Sequence, residues 1–350
     1  TLAVILGLCC CLGNQFLLKS IFGNAEPQVL KEAVTYFYLS ALAYPCIMLF
    51  DSCSALFRGM GESRISLAGS VVTCLTNIVL NAALIYGLGW GVFGAGLASL
   101  LAKGIGGGFL LICLGMGERS VGLRKFAGLP RESFIVRNIM RLAVPMALED
   151  GIFHVGKLLV QGVVTSYGTT AIAANAVSNV ITLFSILPGQ AICLAVTTVI
   201  ARCVGAGDYE QAKYYNKKLI LLTHIGMAIT IFIVFITLPF ILKVYNLSEA
   251  ASEATRHIIW FHGFCAILIW AESFTLPATF RACGDAKACM IISTVSMWIF
   301  RVGASYILGK NLGLGVFGVW VAMIIDWAFR SLLFGIRYFS GKWKKHALVS

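Results

Sequence analysis

Phe57-Arg58-Gly59-Met60-Gly61-Glu62 opens a stretch, residues 57–111, whose pattern returns at 280–334, where it opens Phe280-Arg281-Ala282-Cys283-Gly284-Asp285. Each opening is followed by a long apolar run. Each run ends in one short phrase, Leu88-Gly89-Trp90-Gly91-Val92-Phe93-Gly94 and then Leu312-Gly313-Leu314-Gly315-Val316-Phe317-Gly318, with six of the seven residues identical. The apolar runs between the signatures match poorly, so the repeat lies in the two signatures and their spacing. Two unrelated apolar helices would not set an Arg-x-x-Gly-acid corner and a Gly-rich corner at one separation. The pattern is an internal duplication, which in a membrane chain indicates two related halves.

That the chain is a membrane chain follows from composition. Of its 350 residues 59% are hydrophobic and 12% charged, with mean hydropathy +0.88; a soluble domain carries about 25% charged residues. Long continuous apolar runs, rather than alternating ones, require helices and exclude a barrel. The pattern predicts an all-α integral membrane protein with ten spans, near 1–18, 34–57, 65–87, 91–115, 138–166, 169–203, 216–242, 254–280, 286–309 and 315–339. The organisation expected is an N-terminal lobe over 1–115, a linker over 116–137, a C-terminal lobe over 138–340 and a tail over 341–350. Spans five and six have no counterpart before the linker. A complete protein of this design is expected to begin with two further helices.

The net charge of +12 is explained by topology rather than by nucleic acid, which is not expected as a partner. One alternating set of loops (58–64, 116–137, 204–215, 281–285 and the tail) holds twelve Lys and Arg, against five on the other side: Lys19, Lys31, Lys243, Arg256 and Lys310. The positive-inside rule makes the richer set cytoplasmic, with both ends of the chain on that side. Both copies of the signature then start at a cytoplasmic corner. The halves are parallel repeats, with an approximate two-fold axis along the membrane normal expected between them. The twelve cysteines show no metal-ligand spacing and read as small hydrophobes.

Ionisable residues within spans cost about 2.5–3.5 kcal/mol each on insertion scales, so each is a candidate. They are Asp51 and Lys103 in the first half, and Glu149, Asp150, His154, Lys157, Glu272, Arg301, Asp326 and Arg330 in the second. Asp150, His154 and Lys157 share a helical face by their spacing, with Glu149 about 100° away. As structural pairs, Asp150 or Glu149 would meet Lys157, and Asp326 would meet Arg301 or Arg330. As a functional set, Glu149, Glu272, Asp150 and Asp326 are the candidate coupling-cation residues. Asn77, Asn81, Ser99, Asp51, Lys157 and Arg301 are candidates for a polar substrate cavity. Carboxylates suit either ion: sodium prefers oxygen ligands, and a desolvated carboxyl can load and release a proton. His224 and His262 are expected to be core or interfacial residues.

Taken together, the chain resembles the multidrug and toxic compound extrusion (MATE) family. The resemblance rests on the two Arg-containing corners and on Asn77-Ile78-Val79-Leu80-Asn81 followed by Gly91-Val92-Phe93-Gly94-Ala95-Gly96-Leu97-Ala98-Ser99. It rests also on Pro145-Met146-Ala147-Leu148-Glu149, Ala171-Ile172-Ala173-Ala174-Asn175 and Gly205-Ala206-Gly207-Asp208-Tyr209-Glu210-Gln211-Ala212. The resemblance implies a twelve-helix, two-lobed antiporter in the cell membrane. It would export cationic or amphipathic molecules by alternating access, driven by sodium or protons and with no other cofactor. A monomer is expected. Glu149 matches the acid of the family's seventh helix, and Glu272 lies where the tenth helix usually carries Asp, so sodium is possible at Glu149 and Glu272. Part of the family carries Asn-x-x-x-Asp where this chain has Asn77 and Asn81, and Asn81 cannot titrate. A lipid-linked precursor flippase of related fold is the alternative, disfavoured by the acids of the interior. No catalytic constellation marks an enzyme.

Overall fold

The computed structural model describes residues 2–22, 27–116 and 133–346, and among these every regular element is a helix. They form two compact units, residues 1–130 and 131–350. The first contains α1 (Leu2–Phe22), α2 (Pro27–Met60), α3 (Ser63–Gly87) and α4 (Gly91–Met116). The second contains α5 (Ser133–Thr165), α6 (Thr169–Gly205), α7 (Tyr209–Tyr245), α8 (Glu249–Ala282), α9 (Ala286–Asn311) and α10 (Gly315–Phe339). Eight of these are long and apolar enough to cross a membrane; α1 has only a shorter apolar stretch, Ala3–Lys19, and α5 is interrupted by charge. Of the expected linker, residues 117–132 lie outside the described residues. The fifth helix starts at Ser133, five residues before the span read from hydropathy, because Arg137 and Arg141 continue it in polar sequence. The expected tail is partly structured: Lys342–His346 form a 3-10 turn, and Trp343 is 1% exposed, stacked on Tyr338 and near Tyr209.

The duplication is written in the backbone. Gly61 and Gly284 have φ of +87° and +90°, Gly89 and Gly313 +68° and +70°, and Gly91 and Gly315 +49° and +56°. Only glycine takes these conformations without steric cost. At each Arg-containing corner the helix ends in the same pair of bonds: Gly61 N to Arg58 O (3.0 Å) with Glu62 N to Phe57 O (2.8 Å), and Gly284 N to Arg281 O (3.1 Å) with Asp285 N to Phe280 O (2.9 Å). This is the glycine-terminated cap that satisfies the last carbonyls of a helix. Residues 203–208 repeat it a third time after α6, with Gly207 at φ +76°. Phe57 and Phe280, which open the copies, are both 0% exposed.

Lipid tails are as apolar as leucine, so packing of small residues rather than escape from water holds such helices together. A Cβ on Gly69 would meet Leu110 at 2.6 Å, and one on Gly106 would meet Thr73 at 1.9 Å, so α3 and α4 approach as closely as they do because those positions are glycine. Outward-facing Leu12, Tyr86 and Phe339 are each 88% exposed, as suits a surface solvated by lipid. Four π-helical stretches interrupt the regular ladder, at Ala82–Gly87, Ala271–Thr275, Met297–Gly303 and Ile307–Asn311. The first and last occupy equivalent places before the two Gly-rich corners. The other two carry Glu272 and Arg301, in keeping with the association of π-turns with functional positions.

Candidate functional site

Each acid of the second unit has its own surroundings. Glu149, on α5 four residues after Pro145, is 5% exposed, and its Oε1 accepts from Arg281 Nη2 at 2.7 Å. Arg281 belongs to the repeated corner at the end of α8, so the duplicated motif supplies the partner. Glu149 Oε2 and Arg281 Nε are buried without hydrogen-bond partners. The pairing with Lys157 expected for Glu149 or Asp150 is not made: Lys157 Nζ lies 5.5 Å from the Phe153 ring centroid. Asp150, His154 and Lys157 do share a face, and all three are exposed on it; the His154 ring nitrogen Nδ1 lies 2.8 Å from its own helix, at Asp150 O.

Asp326 on α10 is 0% exposed. Ser296 Oγ bonds to its Oδ1, and Arg301 Nη1 lies 3.7 Å from its Oδ2, the pairing expected of Asp326. Arg330, one turn on, is 3% exposed, donates from Nη2 to Ser273 O at 3.3 Å and lies 4.6 Å from the Phe274 ring centroid. His262 is wedged edge-on between Trp320 and Trp327, at 5.5 and 5.3 Å between ring centroids, as expected of a core histidine. A polar chain joins α5, α6 and α10, running from exposed Gln161 into the interior: Asn175 Nδ2 donates to Gln161 Oε1 at 3.1 Å, and Trp320 Nε1 donates to Asn175 Oδ1 at 3.1 Å.

Glu272 stands apart. It sits on the π-turn of α8, and its Oε1 lies 3.0 Å from His224 Nε2 on α7, with the two side chains 32% and 27% exposed. The other ring nitrogen, His224 Nδ1, lies 2.6 Å from Ile267 O. A carbonyl oxygen only accepts, so Nδ1 carries hydrogen. Glu272 Oε2 is buried without a hydrogen-bond partner. Glu149 and Glu272, the two residues at which sodium is possible from the sequence, therefore have separate partners on separate helices. Among the described residues no three His, Cys, Asp or Glu side chains are grouped as a metal cage.

In the first unit Asn77, Asn81 and Ser99 come together between α3 and α4. Asn81 Nδ2 donates to Asn77 Oδ1 at 3.0 Å, Asn77 Nδ2 to Ser99 Oγ at 3.5 Å, and Ser99 Oγ to Ala95 O at 3.0 Å. Asp51 is exposed on α2, and Lys103 Nζ stands 4.7 Å from the ring centroid of the neighbouring Phe50. Arg58, the counterpart of Arg281, donates to Ser54 and Ser66 at 2.5 and 3.2 Å instead of to an acid.

Sequence reasoning missed two partners. From the sequence Arg281 reads as a topology charge, and His224 as a core or interfacial residue. The signal for Arg281 was its repetition in the signature; for His224, 48 residues from Glu272, there was none.

Comparison with known proteins places these features in a family. The family model described as MatE matches residues 1–83 and 145–307, more than half of the chain. A probable multidrug resistance protein NorM of Thermotoga maritima is 27% identical over 337 residues, covering 95% of this chain and 72% of the relative. A probable multidrug resistance protein YoeA of Bacillus subtilis is 24% identical over 349 residues, covering 97% and 74%. A crystal structure of MATE in complex with MaL6 superposes with TM-score 0.87 at 20% identity, covering 98% of this chain and 77% of that one.

Proposed function

The chain belongs to the MATE family of membrane transporters, which are not enzymes, and from that premise we propose that it is an antiporter exporting cationic or amphipathic compounds in exchange for protons. Relatives bearing the name multidrug resistance protein support the drug-efflux part of this reading. Alternating access between the halves, with the acid-rich second unit carrying the coupling ion, is the mechanism the duplication suggests. We place the protein in the cell membrane, with its Arg-containing corners on the cytoplasmic side.

The observation that carries the choice of proton is the His224–Glu272 pair. With Nδ1–H committed to Ile267 O, the 3.0 Å contact between Nε2 and Oε1 needs one proton of its own, whichever atom owns it. The pair thus holds one exchangeable proton and no net charge. Losing that proton leaves one negative charge and two acceptors facing each other, so the contact opens. Histidine is the side chain whose charge changes in the physiological range. Sodium, a hard cation, needs several oxygens, and here one carboxylate oxygen already faces an imidazole.

The test is ethidium export from proteoliposomes under a pH gradient alone and a sodium gradient alone, for the parent protein, Glu272→Gln and His224→Gln. Export driven by the pH gradient and lost in both variants is expected. Export driven by sodium alone, or a fully coupled Glu272→Gln, would refute the proposal.

A further inference from the structure

The start of α7 is basic and aromatic, Lys213-Tyr214-Tyr215-Asn216-Lys217-Lys218, and the helix then continues as Leu219-Ile220-Leu221-Leu222. At 100° per residue, Tyr214, Lys218, Leu221, Leu222, Ile225 and Ile229 fall within one arc about 100° wide. Lys218 is exposed, and the other five are between 49% and 59% exposed. From Lys218 to Ile229 the helix rises about 16 Å. That is close to half of the roughly 30 Å hydrocarbon thickness of a bilayer. The arc is therefore a strip one leaflet deep, apolar over its length and cationic at its outer end.

The cationic end is ordered and carries surplus charge. Lys218 Nζ stands 4.5 Å from the ring centroid of Tyr214, whose ring meets Tyr215 edge-on at 5.4 Å. Tyrosine with its polar tip at headgroup level is the usual occupant of a membrane interface. Among the described residues neither Lys217 nor Lys218 has an acid partner. The acids nearby in sequence are engaged. Asp208 accepts from Gln211 N at 2.8 Å, capping α7. Glu210 Oε1 is shared by two ammonium groups, Lys213 Nζ at 2.7 Å and Lys344 Nζ at 3.6 Å. Lys344 is brought there by the turn at Lys342–His346, which buried Trp343 pins against Tyr338 and Tyr209. The folded tail thus adds a positive charge where α7 leaves the membrane.

We propose that this end of α7 is a binding site for an anionic phospholipid, with the headgroup phosphate on Lys217 and Lys218 beside Tyr214 and the acyl chains along Leu221, Leu222, Ile225 and Ile229. Orientation by positive charge requires only that lysines lie on one side of the membrane. It does not require them to stand at the head of an uncovered apolar strip one leaflet deep. A zwitterionic lipid would cover the same strip but brings no net charge to the two lysines. A free phosphate compound would meet the lysines and gain nothing from the strip. The site needs neither the antiport reading nor a gradient.

The experiment is titration of the purified protein in micelles with phosphatidylglycerol, phosphatidylcholine or glycerol 3-phosphate, with bound molecules counted by native mass spectrometry. A basic residue near an anionic surface contributes about fivefold in affinity. Phosphatidylglycerol is therefore expected to bind about 25-fold more tightly than phosphatidylcholine. Lys217→Gln with Lys218→Gln should abolish that preference, and Lys218→Arg should keep it. Lys243→Gln, the same charge change at the other end of α7, should leave it intact. Equal affinity for the two lipids would overturn the proposal, as would a preference that survives in the double variant. A loss as large in Lys243→Gln would show attraction to overall charge and overturn it too. Glycerol 3-phosphate binding as tightly as phosphatidylglycerol would identify a site for soluble phosphates and refute the lipid assignment.

Discussion

Removing either member of the Glu149–Arg281 pair should destabilise the protein, and the two removals should differ in their pH dependence. The pair is close and shielded: 2.7 Å between Nη2 and Oε1, with the side chains 25% and 6% exposed. At that distance and an effective dielectric of about 20, the attraction is about 6 kcal/mol, most of it offset by the desolvation of two ions. Breaking such a pair from one side leaves a buried charge alone and costs about 3–5 kcal/mol. The guanidinium cannot lose its charge, whereas a carboxyl can be neutralised by a proton. Glu149→Gln should therefore cost the full amount at every pH. Arg281→Met should cost as much in alkali but less in acid, because the lone carboxyl is more easily accommodated once it binds a proton; relative to the parent, its stability should fall as pH rises. The double variant should recover about 0.5–3 kcal/mol against the sum of the single losses. The assay is reversible unfolding in micelles at two pH values for the parent, both single variants and the double. Additivity within about 0.5 kcal/mol, or an Arg281→Met loss that ignores pH, would refute the reasoning.

Three further outcomes follow from the geometry. Gly61→Ala and Gly284→Ala, at φ +87° and +90°, should each cost about 1–2 kcal/mol in the same unfolding assay; a clear difference between them would contradict the equivalence of the corners. Asn81→Ala removes a 3.0 Å side-chain bond to Asn77 and should cost about 0.6 kcal/mol, the mean for polar contacts within membrane bundles, with no change in gradient-driven export. Asp326→Ala strands Arg301 and Ser296 in the interior and should cost about 3–5 kcal/mol, which Arg301→Met should partly restore; no restoration would show that the 3.7 Å contact does not couple them.

What was legible in the sequence was what local chemistry dictates. The corners were readable because glycine is required where φ is positive, and six of the positive-φ glycines occupy matched places in the two copies. The helices were readable because apolar runs in a bilayer have one backbone solution. The polar ladder of Asn77, Asn81 and Ser99 was readable because two of its members are one helical turn apart. Partners across helices were not. Glu149 and Arg281 lie 132 residues apart, and Lys157, the nearer cation on the same helix, turned out to point along Phe153. Periodicity assigns a side chain to a face of its own helix; it does not say which neighbour meets that face.

The partners, once seen, separate the acids by what they can do. Glu149 and Asp326 face guanidinium groups, which stay charged at any pH the cell meets. Discharging either acid would leave a buried positive charge, so these two are better suited to holding helices together than to carrying a proton across. Asp150 is exposed and carries no such constraint. Glu272 faces an imidazole, a partner that changes charge within the physiological range and can share one proton with it. An acid that must cycle between occupied and empty needs a partner able to change with it. On the coupling role proposed above, that requirement points to Glu272 rather than Glu149. An Arg at position 224 is accordingly expected to freeze the pair: His224→Arg should preserve folding in the unfolding assay while abolishing export under a pH gradient, and retained pH-driven export by a folded His224→Arg protein would show that the shared proton is not the coupling ion.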